Sequence, residues 1–166
     1  SGYTGEGTKT VTEDRGIIRY LMRHGHTTPL EMVEVKFHCK MPVLTARQWI
    51  RHRTASVNEV SGRYSIIKDE FYTPNGDELR RQSKSNKQGS DGKIDNLEAT
   101  NFALMIDEIC KTGYTKYKKM LDAGVTREQA RMILPLNMYT EWYWKIDLHN
   151  LLHFLGGLRH PAGQVR

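Results

Sequence analysis

The sequence has few cysteines and no long apolar run, and both absences limit what the protein can be. Only Cys39 and Cys110 occur among the 166 residues, and their separation matches no metal-binding or redox motif. No apolar run approaches the roughly 20 residues that a membrane span needs. The first residues are polar and glycine-rich, unlike a signal peptide. We therefore expect a cytoplasmic protein with reduced thiols and no membrane partner.

Several familiar catalytic motifs are also missing. The chain contains neither a Walker loop nor a GxGxxG loop, and no serine stands in a nucleophile-elbow pattern. His24 and His26 lack a third ligand at a metal-site spacing, which favours turn or capping roles. His149 and His153 lie four residues apart, but Asn150 stands where a zincin has glutamate. These patterns predict no metal site, and contact with a cofactor explains the second histidine pair at least as well.

The composition that remains is globular and basic. Hydrophobic residues make up 38% and charged residues 27%, which is typical of a folded protein, and the length suits a single domain over residues 1–166. The net charge of +6 and the pI near 9.3 favour an anionic partner. Charge alone does not choose among nucleic acid, a membrane surface and a phosphorylated small molecule.

Hydrophobic periodicity predicts an α+β fold with a helical majority. Helices are predicted at residues 13–23, 43–53, 95–121, 126–134 and 147–154, with glycines 156 and 157 ending the last. In the third helix, the residues predicted to face inward are Phe102, Met105, Ile106, Ile109, Tyr117 and Leu121. Alternation predicts strands at 31–41 and 136–146. Residues 54–65 are predicted to form a loop, residues 81–94 a flexible loop, and residues 156–166 an atypical tail.

The stretch RHRTASVNEVSGRYS, residues 51–65, concentrates hydrogen-bond donors. Arg51, Arg53 and Arg63 each offer a planar fork that fits a phosphate edge, and Arg131 on a separate helix adds a fourth. Glu59 can accept from a ribose hydroxyl or orient an arginine. The alternative is a solvated basic face in which Glu59 makes a weak surface pair. The mixture of polar residue types favours phosphate or nucleotide binding, but composition alone does not indicate an enzyme.

The same stretch matches, position for position, the signature Arg-His-Arg-x-x-Ser-x-Asn-Glu-x-Ser-x-Arg of the flavin-dependent thymidylate synthases. The segments YLMRHGHTTPLE, FHCKMPVLTARQWIRHR and AGVTREQARMILPLNMYTEWYW also resemble this family, so the likeness covers nearly all of residues 14–154. The resemblance implies a mixed twisted sheet flanked by helices, and a homotetramer with sites shared between subunits. It also implies methylation of dUMP to dTMP, with methylenetetrahydrofolate as the carbon donor and NADPH as the reductant of a tightly bound FAD.

The resemblance assigns roles residue by residue. The dUMP-binding positions would be Gln48, Trp49, Ile50, Arg51, Glu59, Val60, Ser61, Gly62, Arg63, Arg131 and Arg159. The FAD-binding positions would be Thr28, Arg51, His52, Arg53, Thr54, Glu59, Asp147, Leu148, His149 and His153. Among these, Ser61, Arg63 and Arg159 would carry catalytic roles. Neither a metal nor a nucleic-acid partner is implied.

The chain departs from the family pattern near its C-terminal end. The family's last helix leads into a Leu-Arg-x-Asp-x-His-Ala-Gln-like segment, whereas the residues here read FLGGLRHPAGQVR. Arg159 is the natural counterpart of the family's arginine, shifted by one extra glycine. Family segments missing from both ends lead us to expect a truncated domain. Two alternatives therefore stay open: a non-catalytic basic module that binds nucleotide or RNA, and a truncated homologue that binds FAD without turnover.

Overall fold

The computed structural model describes residues 10–158, which contain six α-helices and five strands. The helices are α1 (Val11–Arg23), α2 (Thr28–Glu31), α3 (Val43–Trp49), α4 (Asn96–Asp122), α5 (Arg127–Ala130) and α6 (Leu148–Leu158). The strands are β1 (Glu34–Pro42), β2 (Ala55–Glu59), β3 (Arg80–Gln82), β4 (Ser90–Lys93) and β5 (Tyr139–Asp147). Short 3₁₀ helices lie at Gly76–Glu78 and Arg131–Ile133. The predicted α+β class is confirmed.

The main sheet has three strands in the order β1-β5-β2, with β5 in the centre. Both neighbours pair antiparallel with β5, and the register places Ala55 opposite Ile146 and Glu59 opposite Trp142. A second, two-stranded sheet of β3 and β4 is also antiparallel. The prediction of a mixed sheet is therefore wrong for the described residues. Because β1 and β2 lie on either side of β5 and run parallel to each other, the chain between them crosses over through α3.

The first hydrophobic core lies on one face of the main sheet. Trp142, Trp144 and Ile146 alternate along β5 with polar residues, and each is 2% exposed. Helices α3 and α6 cover this face through Trp49 and Phe154, whose rings lie 5.0 Å apart. Aromatic burial of this kind supplies much of the stabilisation available to a small sheet.

The second core forms where the C-terminal half of α4 meets the segment 67–71 and the α5 region. Tyr117 and Ala130 are fully buried there, with Ile67 and Phe71 packed against them. In the N-terminal half of α4, the predicted inward positions Phe102, Met105 and Ile109 are wrong, because Met105 is 55% and Ile109 is 59% exposed, whereas Ile106 is half-buried. In that half, the 3₁₀ helix at Gly76–Glu78 packs on the side of Ala99 and Thr100, and the described chain leaves the apolar stripe exposed. Periodicity identifies an apolar helix face without saying what the face meets.

Two predicted loops contain strands. In residues 54–65, Ala55 and Val57 pack toward the first core while Ser56 and Asn58 are exposed, which makes β2 a half-buried strand. The polar alternate positions concealed this pattern. In residues 81–94, strands β3 and β4 form a hairpin, where the Gln82 side chain donates to the carbonyls of Lys87 and Gly89. Side-chain-to-backbone bonds order this segment despite its scarcity of apolar residues.

The remaining element predictions agree with the structure apart from their ends. Thr10 and Glu13 form a capping box that starts α1, and Thr126 accepts from the backbone of Gln129 to start α5. Helix α6 begins where predicted but passes through both glycines to Leu158 instead of ending at them. Within the described chain, no helix combines the length and apolar character of a membrane span.

Candidate functional site

The signature stretch folds as a turn, a strand and a second turn. After α3 ends, the N–H groups of Arg51 and His52 donate to the carbonyls of Gln48 and Trp49 and close the first turn. Strand β2 follows, and the Val60 N–H group then donates to the Glu141 carbonyl at 2.9 Å. The five residues of β2, which span about 13 Å at about 3.3 Å per residue, separate the two turns. The predicted dUMP-binding residues are thereby divided between two locations.

The second turn is closed by Ser61. Its carbonyl accepts from the N–H groups of Tyr64 and Ser65, and its Oγ atom accepts from the Arg63 N–H group at 3.3 Å. Gly62 lies against two side chains: a Cβ atom there would lie 3.1 Å from Ile67 Cδ1 and 3.3 Å from Arg131 Nη1. The structure therefore brings Arg131 to the signature turn, although the two are far apart in the sequence.

Helix α5 supplies charged partners to this turn. The Arg63 Nε atom lies 3.3 Å from Glu128 Oε2, and Arg127 donates to the Tyr64 carbonyl at 2.8 Å. A cleft of about 470 Å³ opens beside Arg63 and Arg127. This volume falls within the range of small-ligand sites. Because the Arg63 and Glu128 side chains are both more than half exposed, their pair is weak and an anionic ligand could replace the carboxylate.

Glu59 ends β2 and is held by a buried neighbour. The Thr140 hydroxyl donates to Glu59 Oε1 at 2.6 Å, and Thr140 is 7% exposed. One carboxylate oxygen is thus fixed while the other remains available. In this position Glu59 adjoins the second turn, and the register places it far from the α6 end of the sheet.

The predicted flavin positions form a separate cluster around α6. Helix α2, which carries Thr28, packs against α6, and the Leu148 N–H group donates to the Val33 carbonyl at 2.8 Å. The ring of His52 lies 4.8 Å from the ring of Phe154 on α6. The ends of α2, α3 and β5 thus meet at this helix. Glu59 is the one predicted flavin residue that the fold places at the other end of β2.

Asp147 occupies the start of α6 as its cap. Its Oδ1 atom accepts from the Asn150 N–H group at 2.9 Å, and its Oδ2 atom accepts from the Asn150 side chain at 2.6 Å. The Asn150 side-chain donor, followed by the backbone donor, lowers the pKa of the Asp147 carboxyl. Both carboxylate oxygens are therefore engaged within the chain. A capping role explains this residue without a cofactor.

Trp49 is also occupied within the chain. Its ring lies 5.2 Å from that of Trp144 and 6.3 Å from that of Trp142, in edge-to-face arrangements. The side chain packs against the core, and its buried Nε1 atom has no hydrogen-bond partner among residues 10–158. Other predicted site residues have exposed side chains, namely Thr28, Gln48, Ile50, Arg51, Arg53, Thr54, Val60 and His153. Arg159 lies outside the described residues.

Donors around the first turn are available for an anionic ligand. Between residues 10 and 158, no carboxylate pairs with Arg51 or Arg53. The Nε2 atom of His52 is buried and has no hydrogen-bond partner in the same part of the chain. A buried polar atom of this kind calls for a partner. The described part of the chain contains no group of three or more side chains suited to hold a metal ion.

Four residues that position this site escaped sequence-based prediction of function. Thr140 holds Glu59, Glu128 pairs with Arg63, and Tyr114 and Tyr117 bind the backbone of Ile67. Each lies far from its partner in the sequence. No local pattern marks such pairs, although helical periodicity did place Tyr117 in the core.

The structure defines an α+β protein in which an arginine-rich turn packs against Arg131 and has donors that suit an anionic ligand. A family model, thymidylate synthase complementing protein, matches residues 3–165. The chain belongs to this family.

Relatives and solved structures agree with the family match. The chain is 57% identical over 151 residues to a flavin-dependent thymidylate synthase of Dictyostelium discoideum, covering 91% of this chain and 50% of the relative. It is 58% identical over 160 residues to one of Thermus thermophilus, covering 96% of this chain and 57% of the relative. The chain thus spans about half the length of these relatives.

A solved structure of the UMP/dUMP methylase PolB from Streptomyces cacaoi, bound with 5-Br UMP, has a TM-score of 0.80 and 33% identity. The match covers 87% of this chain and 65% of that one.

The residues present fit the flavin that the family name implies. The guanidinium groups of Arg51 and Arg53, which have no carboxylate partner between residues 10 and 158, suit a pyrophosphate because each offers a fork of donors. The unpartnered Nε2 atom of His52 offers a further polar contact at the same turn. Helix α6, with His149 and His153, adjoins this turn through Phe154.

Proposed function

We propose that the protein methylates dUMP to dTMP, using methylenetetrahydrofolate as the carbon donor and NADPH as the reductant through FAD. The observation that carries the proposal is the contact between Gly62 and Arg131. A Cβ atom on Gly62 would lie 3.3 Å from Arg131 Nη1, and Arg63 follows Gly62 in the same turn. A turn that carries a serine and one arginine and packs against a second arginine suits a nucleotide monophosphate. The names of the relatives support dUMP as the nucleotide and a flavin as the cofactor.

In this proposal, the second turn grips the nucleotide. Arg63 and Arg131 bind the phosphate, and Ser61 and the Gly62 N–H group add hydrogen bonds to it. Glu59, fixed by Thr140, accepts from a ribose hydroxyl. Arg159 is proposed to polarise the uracil edge, since a cationic group there stabilises negative charge that develops on the ring.

The first turn and α6 are proposed to hold the flavin. Arg51 and Arg53 neutralise the pyrophosphate, and His52 uses its buried Nε2 atom for a polar contact. When bound, FAD supplies the hydride after reduction by NADPH. Asp147 contributes by starting α6 and so placing His149 and His153.

Assembly as a homotetramer with shared sites is part of the proposal. Within one chain, Gln48 and Arg51 lie at one end of β2 and the second turn lies at the other. A neighbouring chain could bring the two halves together around one nucleotide. An exposed apolar groove of about 510 Å³ on α4, lined by Met105, Ile109 and Ile133 among others, is of the kind that marks protein interfaces. We place the assembled protein in the cytoplasm.

Flavin absorbance tests this function directly. Purified protein should be yellow or become so with added FAD, and adding dUMP should perturb the flavin spectrum. NADPH oxidation and dTMP formation are measured separately, because flavin reduction without dTMP would identify a homologue that binds FAD without turnover. Colourless protein that ignores FAD and binds RNA with a steep salt dependence would instead support a basic RNA-binding module, consistent with the net charge of +6.

A further inference from the structure

Two tyrosines of α4 hold both polar backbone atoms of Ile67. The Ile67 N–H group donates to the Tyr117 hydroxyl oxygen at 3.1 Å, and the Tyr114 hydroxyl donates to the Ile67 carbonyl at 3.2 Å. The tyrosines lie three positions apart and therefore share one face of the helix. Tyr117 is fully buried, and burial raises the pKa of the Tyr114 hydroxyl, which keeps it protonated as a donor.

The Ile67 side chain packs against Gly62 in the signature turn, so fixing the Ile67 backbone also restricts the turn. A Cβ atom on Gly62 would lie only 3.1 Å from Ile67 Cδ1 and 3.3 Å from Arg131 Nη1. Ile67, Gly62 and Arg131 are thus packed together. A shift of the Ile67 backbone would change the separation of the turn from Arg131.

Other hydrogen bonds anchor the segment at its two ends and at Tyr64, whose carbonyl accepts from Arg127 at 2.8 Å. The Val60 N–H group donates to the Glu141 carbonyl, and the Tyr72 N–H group donates to the Asn137 carbonyl, both at 2.9 Å. Between these anchors the chain forms neither helix nor extended strand, and Tyr64 is 76% exposed. The two tyrosine hydroxyls secure the middle of the segment, next to the turn.

We propose that Tyr114 and Tyr117 are positioning residues for nucleotide binding, acting through Ile67 to set the Ser61–Gly62–Arg63 turn against Arg131. This inference rests on the proposed function, because that function makes the turn a dUMP site. The tyrosines themselves do not touch the nucleotide. Their effect should appear in dUMP affinity and leave the flavin cluster around α6 unchanged, since that cluster lies at the other end of β2.

Tyr117→Phe and Tyr114→Phe remove one hydroxyl each while keeping the ring that packs in the core. Each should weaken dUMP binding about five- to tenfold, the size expected for one lost hydrogen bond. FAD affinity should stay within about twofold of the wild type. Tyr72→Phe is the matched control, since the Tyr72 hydroxyl contacts Glu78 at 3.4 Å instead of the turn. It should leave dUMP affinity unchanged.

The route through Ile67 is tested by a double-mutant cycle. Ile67→Val removes the Cδ1 atom that faces Gly62 and should itself weaken dUMP binding. Combined with Tyr117→Phe, its effect should be less than additive, because both changes release the same turn. If Tyr117→Phe does not fold, the same cycle is measured with Ile67→Val and Tyr114→Phe.

Two results would overturn the inference: wild-type dUMP affinity in the folded phenylalanine variants, or parallel losses of dUMP affinity, FAD affinity and melting temperature. Hydrogen exchange of residues 61–66 in the ligand-free protein gives a second measure, and should be faster in both variants than in Tyr72→Phe. If wild-type protein ignores dUMP, the proposed function fails and the assignment to nucleotide binding falls with it. The exchange comparison then still decides whether the tyrosines fix the turn.

Discussion

The hydroxyl of Thr140 donates a 2.6 Å hydrogen bond to the Oε1 atom of Glu59. Thr140→Val keeps the shape of the side chain and removes this donor. We expect a loss of about 1 kcal/mol of unfolding free energy, since Glu59 is exposed enough for water to replace the bond in part. Nucleotide affinity should fall several-fold because Glu59 is no longer held. Urea unfolding and dUMP titration check both effects, and Thr140→Ser, which retains the hydroxyl but loses a buried methyl group, should keep wild-type dUMP affinity.

Gly62→Ala should displace Arg131. The new Cβ atom would lie 3.1 Å from Ile67 Cδ1 and 3.3 Å from Arg131 Nη1, which is tighter than ordinary packing. We expect dUMP affinity to fall about tenfold, as when one good hydrogen-bonding group is misplaced. Gly16→Ala on α1 is the control: nothing lies within 4 Å of its Cβ position, and it should raise stability by about 0.5–1 kcal/mol. Unchanged dUMP affinity in Gly62→Ala would remove Arg131 from the nucleotide site.

Arg63→Ala should cost nucleotide affinity while FAD stays bound. Loss of hydrogen bonds to a charged phosphate predicts a decrease of about 10- to 100-fold in dUMP affinity. Arg63→Lys should restore it only in part, because the planar fork is lost. Glu128→Gln is the complementary change: it frees Arg63 from its 3.3 Å pair and should alter unfolding free energy by less than about 0.5 kcal/mol. Equal loss of FAD and dUMP in Arg63→Ala would assign Arg63 a folding role.

Asp147 should make stability depend on pH at acid values. Its pKa is lowered in the folded protein by the Asn150 donors, so its contribution is fully present above the unfolded value of about 3.9 and is lost as pH falls through the lower folded value. Asp147→Ala should lower unfolding free energy by about 0.5–2 kcal/mol at neutral pH through loss of the cap.

Asp147→Asn is the matched variant, because asparagine also caps helices but does not titrate. Urea unfolding between about pH 3 and pH 7 should show a smaller acid loss in Asp147→Asn than in the wild type. Identical pH profiles for these two proteins would contradict the linkage.

The apolar groove on α4 should be needed for assembly. Ile109 is 59% exposed and lines the groove, so Ile109→Asp should lower the molecular mass measured by light scattering toward that of one chain. Leu104 on the same helix is 62% exposed and does not line the groove, so Leu104→Asp serves as the control. An unchanged mass in Ile109→Asp would place the interface elsewhere.

Local patterns predicted most elements correctly, and the failures have a common cause. The capping residues Thr126 and Asp147 act within one helical turn, so sequence spacing is enough to predict where their helices begin. Strand β2 was missed because its inward residues, Ala55 and Val57, are few and alternate with polar ones. Only pairing with β5 makes the segment a strand. The exposure of Phe102, Met105 and Ile109 was missed for the same reason, because the burial of a helix face depends on which other part of the chain covers it.

The sequence by itself determined the family, through a signature of fixed residues at fixed spacing, and it determined the donors available for a phosphorylated ligand. Tertiary structure alone decided which donors meet. It placed Arg131 beside Gly62, separated the two ends of the signature by the length of β2, and left Arg51 and Arg53 without carboxylate partners in the part of the chain it describes. The physical reason is range: caps and periodicity act over a few residues, whereas these contacts arise only when strand pairing and helix packing bring distant segments together.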